Sequence, residues 1–476
     1  MRNFNQIYID GQFVTPHGTE QFDLFDPTTG TVTGHVRLGD EEDARRAVAA
    51  ARRAFPAFSQ TSRNERIGML RRLHAAMSER VDDLTQATIE EYGAPVSRAV
   101  WGAKYAAETF LHAITTLENY AFERDIASAR VVMQPIGVVG QITPWNANAG
   151  FICGKLSIAI AAGCTSVLKP SEMSAWQTQI VMEALHEAGL PPGVFNIVNG
   201  RGDVVGTEIT HHPDIAKVSF TGSTRVGKSI LRSAADTMKR VTLELGGKSP
   251  TIVLDDADLA QAVPLILNAG FGNNGQACIN GTRVLVPENR FEAFCEAIRA
   301  GVEQIAVGDP RDPATQIGPL VSRTQHERVQ RYIRTGVEEG ATLLTGGAER
   351  PDHLERGYFV KPTVFVNVTN DMTIAREEIF GPVICVMRYR HEEDAIAIAN
   401  DTSYGLHAYV VSSDPERAQA VARRLDAGRV AINGAPHEPL APFGGFKQSG
   451  IGREYGEFGL EACLEPKAIL GMQRAA

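Results

Sequence analysis

Past about Val131, short apolar runs alternate with stretches of helical periodicity, and this alternation restricts the fold more than any other feature of the chain. The runs are "PIGVVGQITPW", "TSVLKPS", "GVFNIVNG", "KVSFTGS" and "SPTIVLDD". Strands spaced by helices predict βαβ units around a mostly parallel sheet, and so an α/β fold. A second α/β series follows. "RVLVPE" leads into the helical run "NRFEAFCEAIRAGVEQI", then comes a polar stretch, the helical run "SRTQHERVQRYIRTGVEEG", and the strands "PVICVMRY" and "YVVSS". A change of composition at Gly246-Gly247 marks the expected boundary between the two series.

Residues 40–120 predict helices instead. "DEEDARRAVAAARRAF" opens on acidic residues, which favour a helix N-terminus, and then spaces its alanines, Val48 and Phe55 along one face. "RNERIGMLRRLHAAMSERVDDLTQATIEE" continues the pattern. The N-terminal "IYIDGQFV" reads as two short strands about an Asp10-Gly11 turn. "ASARVVMQPIG" and the C-terminal "CLEPKAILGM" read as peripheral strands able to pair with another subunit.

With 476 residues the chain has room for about three domain-sized units. Lysine and arginine number 47 against 56 acidic residues, a formal charge of −9, and no basic stripe follows any segment. Nucleic acid is therefore not an expected partner. No secretory pattern opens the sequence, and the apolar run after Lys155 is too short to span a bilayer. These features predict a soluble, cytoplasmic protein with no membrane partner. The six cysteines (Cys153, Cys164, Cys278, Cys295, Cys385 and Cys463) include no C-x-x-C pair, so neither a disulfide framework nor a zinc site is expected.

"FTGSTRVGKS", from Phe220 to Ser229, matches the phosphate-loop pattern G-x-x-x-x-G-K-[ST]. Its context of strand, glycine turn and helix suits any anion site at a helix N-terminus, so it predicts a nearby phosphate better than it predicts nucleotide hydrolysis. The turn follows several earlier βα units. The acidic run "TIVLDDAD" that would hold Mg²⁺ lies beyond Gly246-Gly247 and leads into a helix start. A nucleotidase is the weaker reading, and Lys228 reads as a solvated first-turn lysine. "GRGDVVG" has one residue too many for G-x-G-x-x-G and reads as a plain loop before a helix, and His211-His212 reads as exposed loop.

Four other segments carry chemistry between them. "LELGGKSP" holds Glu244, "NNGQACING" holds Cys278, "TPWNANAG" holds Asn146, and "VLKPSE" holds Lys169 and Glu172. They offer a thiol nucleophile, an amide donor for an oxyanion and a carboxylate base. With "FTGSTRVG", "EEIFGPV", "NDTSYGL" and "PFGGFKQSGIGREYG" in the same order, the chain resembles the aldehyde dehydrogenase superfamily over essentially its whole length. Glu244 aligns it with the hydrolytic, non-acylating branch.

The resemblance implies a Rossmann-type cofactor domain, an α/β catalytic domain and a small β oligomerisation arm. Their expected bounds are 1–116 with 137–245, then 246–445, and an arm of 117–136 with 457–476. It implies Cys278 as nucleophile, Asn146 on the oxyanion, Glu244 activating water, and Lys155 near this machinery. For the cofactor it implies Lys169, Ser171 and Glu172 at the adenosine ribose. Ile142, Thr143, Pro144 and Trp145 would line the same groove, and Gly222, Ser223 and Gly227 would face the pyrophosphate. Thr221, Leu245, Gly246 and Gly247 would lie near the nicotinamide, with Glu378 and Phe380 on its ribose. A carboxylate at Glu172 favours NAD over NADP, with NADP still possible. A homodimer or homotetramer is implied as well.

The chain departs from the family pattern at Ala147-Asn148-Ala149-Gly150 and at Gly154, where bulkier residues are usual. Ala147, Phe151, Gly154, Ala277, Ile279 and His437 are the expected substrate-pocket residues. The small side chains predict a wide pocket for a bulky, aromatic or polar-ended aldehyde. No arginine in these segments offers itself to a substrate carboxylate. A semialdehyde substrate with NADP use is the alternative within the family.

Overall fold

A computed structural model describes residues 1–471; the last five residues of the expected arm, 472–476, lie outside the described residues. Two large sheets organise the chain. The first has eight strands. At its centre lie five parallel strands, in chain order Val138–Ile142, Thr165–Lys169, Phe195–Ile197, Ile215–Thr221 and Arg240–Glu244. In space they run third, second, first, fourth, fifth. This is the doubly wound order, and its switch point falls between Val138–Ile142 and Ile215–Thr221, where ligands collect at the carboxyl ends of the strands. Every residue of Val138–Ile142 and Thr165–Lys169 is buried, as strands covered on both faces must be.

Helices supply that cover. Glu41–Phe58 starts at Asp40, whose carboxylate accepts the N–H groups of Glu42 and Asp43 in a capping box, a device contributing about 1 kcal/mol. Val96–Asn119 packs on Asn148–Ala162, and their apolar faces join one large core under the sheet. The Asp10-Gly11 turn joins Ile7–Ile9 to Gln12–Val14, both turn residues having positive φ. "GRGDVVG" is helical rather than plain loop. Gly202–Gly206 forms one wide turn, with Val205 buried among apolar neighbours, and runs directly into the short helix Thr207–His211.

The second sheet has seven strands, and "TIVLDDAD" supplies its first by sequence, Pro250–Val253. All its pairings are parallel except that of Thr342–Thr345 with Thr363–Val366. Buried clusters lie on both faces. The peripheral runs form a separate three-stranded sheet of Leu464–Leu470, Ala129–Pro135 and Glu123–Ile126. Among the described residues, no helix is long and apolar enough to cross a membrane, and no cluster of His, Cys, Asp or Glu could hold a metal ion.

Candidate active site

A cavity of about 180 Å³ opens at the switch point. From the first sheet it takes Pro144, Trp145 and Asn146 after Val138–Ile142, then Thr221 to Ser223 after Ile215–Thr221, and Glu244 to Gly246 after Arg240–Glu244. Phe151 joins them from the helix Asn148–Ala162, and Cys278 reaches the cavity from the far side with Gln325, Arg328, Glu378 and Phe380. Residues from both sheets thus meet across one cleft.

The turn carrying Cys278 is set by Asn273 and Asn274, both left-handed at φ 57°. Asn is one of the few side chains that tolerates this conformation. Asn274 Nδ2 donates to the carbonyls of Gly93 and Pro319, and Gln276 Nε2 donates to Tyr92 Oη at 3.2 Å. Asn146 Nδ2 donates to the Gln276 carbonyl at 3.0 Å, which ties the amide to the cysteine turn. Burial pushes the Cys278 thiol up to about 12, aided by the charges of Glu378 and Glu244. Cys278 is the one cysteine of the six that is not fully buried.

Glu244 is 2 % exposed, and neither carboxylate oxygen has a hydrogen-bond partner. Burial first, and the charge of Glu454 second, hold its carboxyl well above the usual carboxylate range. Lys155 is buried, donates to Ser219 Oγ at 2.8 Å and pairs with Glu454. This pair lines a neighbouring small cavity with Arg453 and Tyr455, not the Cys278 cleft.

Gly246 and Gly247 are required by close approach. A Cβ on Gly246 would lie 2.5 Å from Glu378 Oε2, and one on Gly247 would lie 2.4 Å from the Cys278 carbonyl oxygen. The Gly247 N–H donates to Glu378 Oε1 at 3.0 Å. Phe380 holds φ 63°, a strained setting for an aromatic residue costing about 1–3 kcal/mol. Gln325 Nε2 stabilises it by donating to the Phe380 carbonyl at 2.7 Å, and its ring meets Trp145 edge-on at 5.4 Å.

The groove beyond Cys278 suits a dinucleotide. Thr143 Oγ1, Thr221 Oγ1 and Arg328 Nε are buried there without partners. Ile142 is buried in an apolar core at the strand end before the groove, and the Thr143 N–H donates to the Lys169 carbonyl at 3.1 Å. Lys169 Nζ pairs with Glu172 Oε2 at 3.0 Å, and Ser171 Oγ caps the short turn after them. Ser223 caps Thr224–Ala235, a helix whose N-terminus faces the cleft, and Gly227 lets that helix press on Leu245. Lys228 is exposed and donates to Gln448 Oε1 at 2.9 Å.

The substrate-side residues divide. Phe151 lines the cleft, Ala277 and Ile279 flank Cys278, and Ala147 precedes the Asn148–Ala162 helix. Gly154 lines two small cavities walled by Tyr455. A Cβ on Gly150 would stand 3.7 Å from the Tyr105 ring, an ordinary contact, so the glycine leaves room for a methyl group beside that ring. His437 hydrogen-bonds Tyr105 Oη through Nε2 at 3.0 Å, and burial and Arg429 lower its pKa to about 4. Gln325, Arg328, Tyr105 and Arg429 were not legible as site residues. Each lies on a helix or strand whose sequence reads as an ordinary surface pattern.

Fold and cleft together define a two-sheet α/β enzyme with a cysteine, an unpartnered carboxylate and an amide at one switch point. The chain belongs to the aldehyde dehydrogenase family, whose model matches residues 13–469. It is 47 % identical over 475 residues to a 3-succinoylsemialdehyde-pyridine dehydrogenase of a Pseudomonas species, covering 99 % of this chain and 100 % of that one. Among solved structures it is similar to a cysteine-to-alanine mutant of aldehyde dehydrogenase C from Pseudomonas syringae, in complex with NAD+ and octanal. That match has a TM-score of 0.97 and 45 % identity, and covers 99 % and 98 % of the two chains. A betaine aldehyde dehydrogenase from Staphylococcus aureus, in complex with NAD+, follows at a TM-score of 0.95 and 37 % identity, covering 98 % and 94 %.

Proposed function

We propose that the chain oxidises an aldehyde to the carboxylic acid with NAD, through a thioester on Cys278. The observation that carries this reading is Glu244, buried in the cleft it shares with Cys278 and with both oxygens unpartnered. Cys278 Sγ bonds to the aldehyde carbon, and the Asn146 amide and the Cys278 N–H hold the resulting oxyanion. A thiol held near 12 must lose its proton as the bond forms, and Glu244 is the unpaired base at hand. Bound in the groove, NAD supplies the acceptor for the hydride that leaves the former aldehyde carbon. After passing that proton to solvent, Glu244 takes a second one from water as the water attacks the thioester, and returns it to the leaving thiolate, which releases the acid and restores the thiol.

Lys169, Ser171 and Glu172 hold the adenosine ribose in this reading, Ser223 and the following helix start the pyrophosphate, and Glu378 and Phe380 the nicotinamide ribose. Lys155 and Glu454 are positioning residues that set the charge around Glu244. The domain division at 245/246, with 117–136 and 457–476 as an arm, belongs to the same proposal. So does a homodimer or homotetramer, supported by Ile126, Ile469 and Leu470, which are exposed on the small sheet. Six free cysteines suit a reducing cytoplasm.

For the substrate we favour a bulky aldehyde with an aromatic or polar end. Tyr105, Tyr455 and His437 gather on the substrate side, and the similar Pseudomonas relative is named for a pyridine semialdehyde. The test is NAD reduction over a panel of aldehydes, with Cys278→Ala as control. A preference for acetaldehyde over every larger aldehyde would sink the substrate reading, and activity surviving in Cys278→Ala would sink the mechanism.

A further inference from the structure

Cationic and aromatic groups gather where Val96–Asn119 meets the loop around His437. The Arg98 guanidinium lies 4.1 Å from the centroid of the Trp101 ring, and Trp101 stacks on Tyr105 at 5.0 Å with 10° between the planes. Arg429 Nη1 donates to His437 Nδ1 at 2.9 Å. A neutral His437 that accepts at Nδ1 keeps its proton on Nε2, the atom that meets Tyr105.

The two arginines differ. Arg429 is occupied by the carbonyls of Glu438, Ala441 and Pro442 besides His437. Arg98 is half-buried, yet among the described residues it has no ion pair and one side-chain hydrogen bond, from Nε to Asn273 Oδ1 at 3.3 Å. Most of the five guanidinium donors are thus unspent. A cation partly withdrawn from water without a carboxylate is costly, and its open donors match an anion that arrives from outside. Asn273 Nδ2 donates to the Asn146 and Gln276 carbonyls, each at 3.1 Å. Through Asn273, Arg98 is thus linked to the Gln276 carbonyl that the Asn146 side-chain amide also meets.

We infer that Arg98 is a specificity-determining residue that receives the distal carboxylate of an ω-oxo acid, with Trp101 and Tyr105 walling its carbon chain. The inference rests on the aldehyde-oxidising reading above. It differs from the expectation that no arginine meets the substrate, because Arg98 comes from a helix outside the segments that suggested the pocket. Trp101 is 45 % exposed and so lies at the surface beside Arg98.

The experiment compares kcat/KM for hexanal with that for the ω-oxo acid of the same length, and for benzaldehyde with that for para-carboxybenzaldehyde. The wild type should prefer the carboxylated member of at least one pair, by roughly tenfold or more. Arg98→Gln should collapse that ratio, chiefly through KM, and Arg98→Lys should hold an intermediate ratio, since it keeps the charge and loses the fork. A wild type that prefers the neutral member of both pairs would overturn the inference, and so would an unchanged ratio in Arg98→Gln. An equal fall with both members would reveal a purely structural role through Asn273 and also overturn it. If Arg98→Gln does not fold, the wild-type and Arg98→Lys ratios decide. A wild type that reduces no NAD with any aldehyde would instead contradict the underlying reading.

Discussion

Asn146 Nδ2 stands 3.0 Å from the carbonyl oxygen of Gln276, two residues before Cys278, and so one amide hydrogen is committed to the turn that carries the thiol. The other hydrogen is free for a developing oxyanion. Asn146→Ala should lower kcat by ~10²–10³ and change KM little, the loss seen when one preorganised donor is removed. Steady-state NADH formation measures it. An Asn146→Ala enzyme within a few-fold of wild type would place the oxyanion elsewhere.

Glu244 gives a pH dependence of defined sign. Its carboxyl is held well above the usual range by burial and by the charge of Glu454, and only its ionised form acts as a base. The rate should therefore rise with pH as this group ionises, and the acid limb should lie well above that of an ordinary glutamate. Glu244→Gln removes the base from both steps, so it should abolish that limb, slow the burst of NADH, and stall the enzyme after that single burst with the acyl group left on Cys278. Rapid-mixing absorbance and intact mass after the burst read both effects.

The two sheets were legible from short apolar runs alternating with helical periodicity, although polar residues interrupt even fully buried strands, Gln141 in Val138–Ile142 and Thr165, Ser166 and Lys169 in Thr165–Lys169. Cys278, Glu244 and Asn146 come from separate segments that are weak alone and gain their roles from the family resemblance, and the structure brings the three to one cleft. What escaped was the reverse side of the cleft. Tyr105 borders Gly150 from Val96–Asn119, a helix distant from it in sequence. Arg328 reads as one charge among many on Arg323–Glu338, yet its Nη2 donates to the Glu378 carbonyl and its Nε faces the groove unpaired. Such residues become visible only when distant elements meet. The "GRGDVVG" segment was misjudged because its glycines hid the apolar pair Val204-Val205 that lets it coil as a helical turn.

Gly247 tests how tightly the cleft is assembled. A methyl group there would sit 2.4 Å from the Cys278 carbonyl oxygen, closer than packed atoms allow, and backbone must move to admit it. Gly247→Ala should destabilise the protein by about 1–3 kcal/mol and shift the cysteine turn. The fall in kcat should exceed anything a stability loss of that size causes, because the folded fraction remains near complete. Thermal unfolding and kcat on the same preparation separate the two. Wild-type kcat with Ala at this position would show that the turn yields at no cost.

In the proposed reading, Lys169 and Glu172 set the choice of dinucleotide. Lys169 is 4 % exposed and spends its charge on Glu172 at 3.0 Å, so the pair presents a carboxylate edge rather than a free cation. That edge accepts a ribose 2′-hydroxyl and repels a 2′-phosphate. Glu172→Ala removes the acceptor and releases the Lys169 ammonium at the same moment, and both changes favour NADP. The kcat/KM ratio for NAD over NADP should fall by roughly a hundredfold, about 1.4 kcal/mol lost from one cofactor and a similar amount gained by the other. Glu172→Gln keeps an acceptor for the hydroxyl without the repulsion, and should move the ratio mainly by raising NADP. If both variants keep the wild-type ratio, the discrimination resides outside this pair.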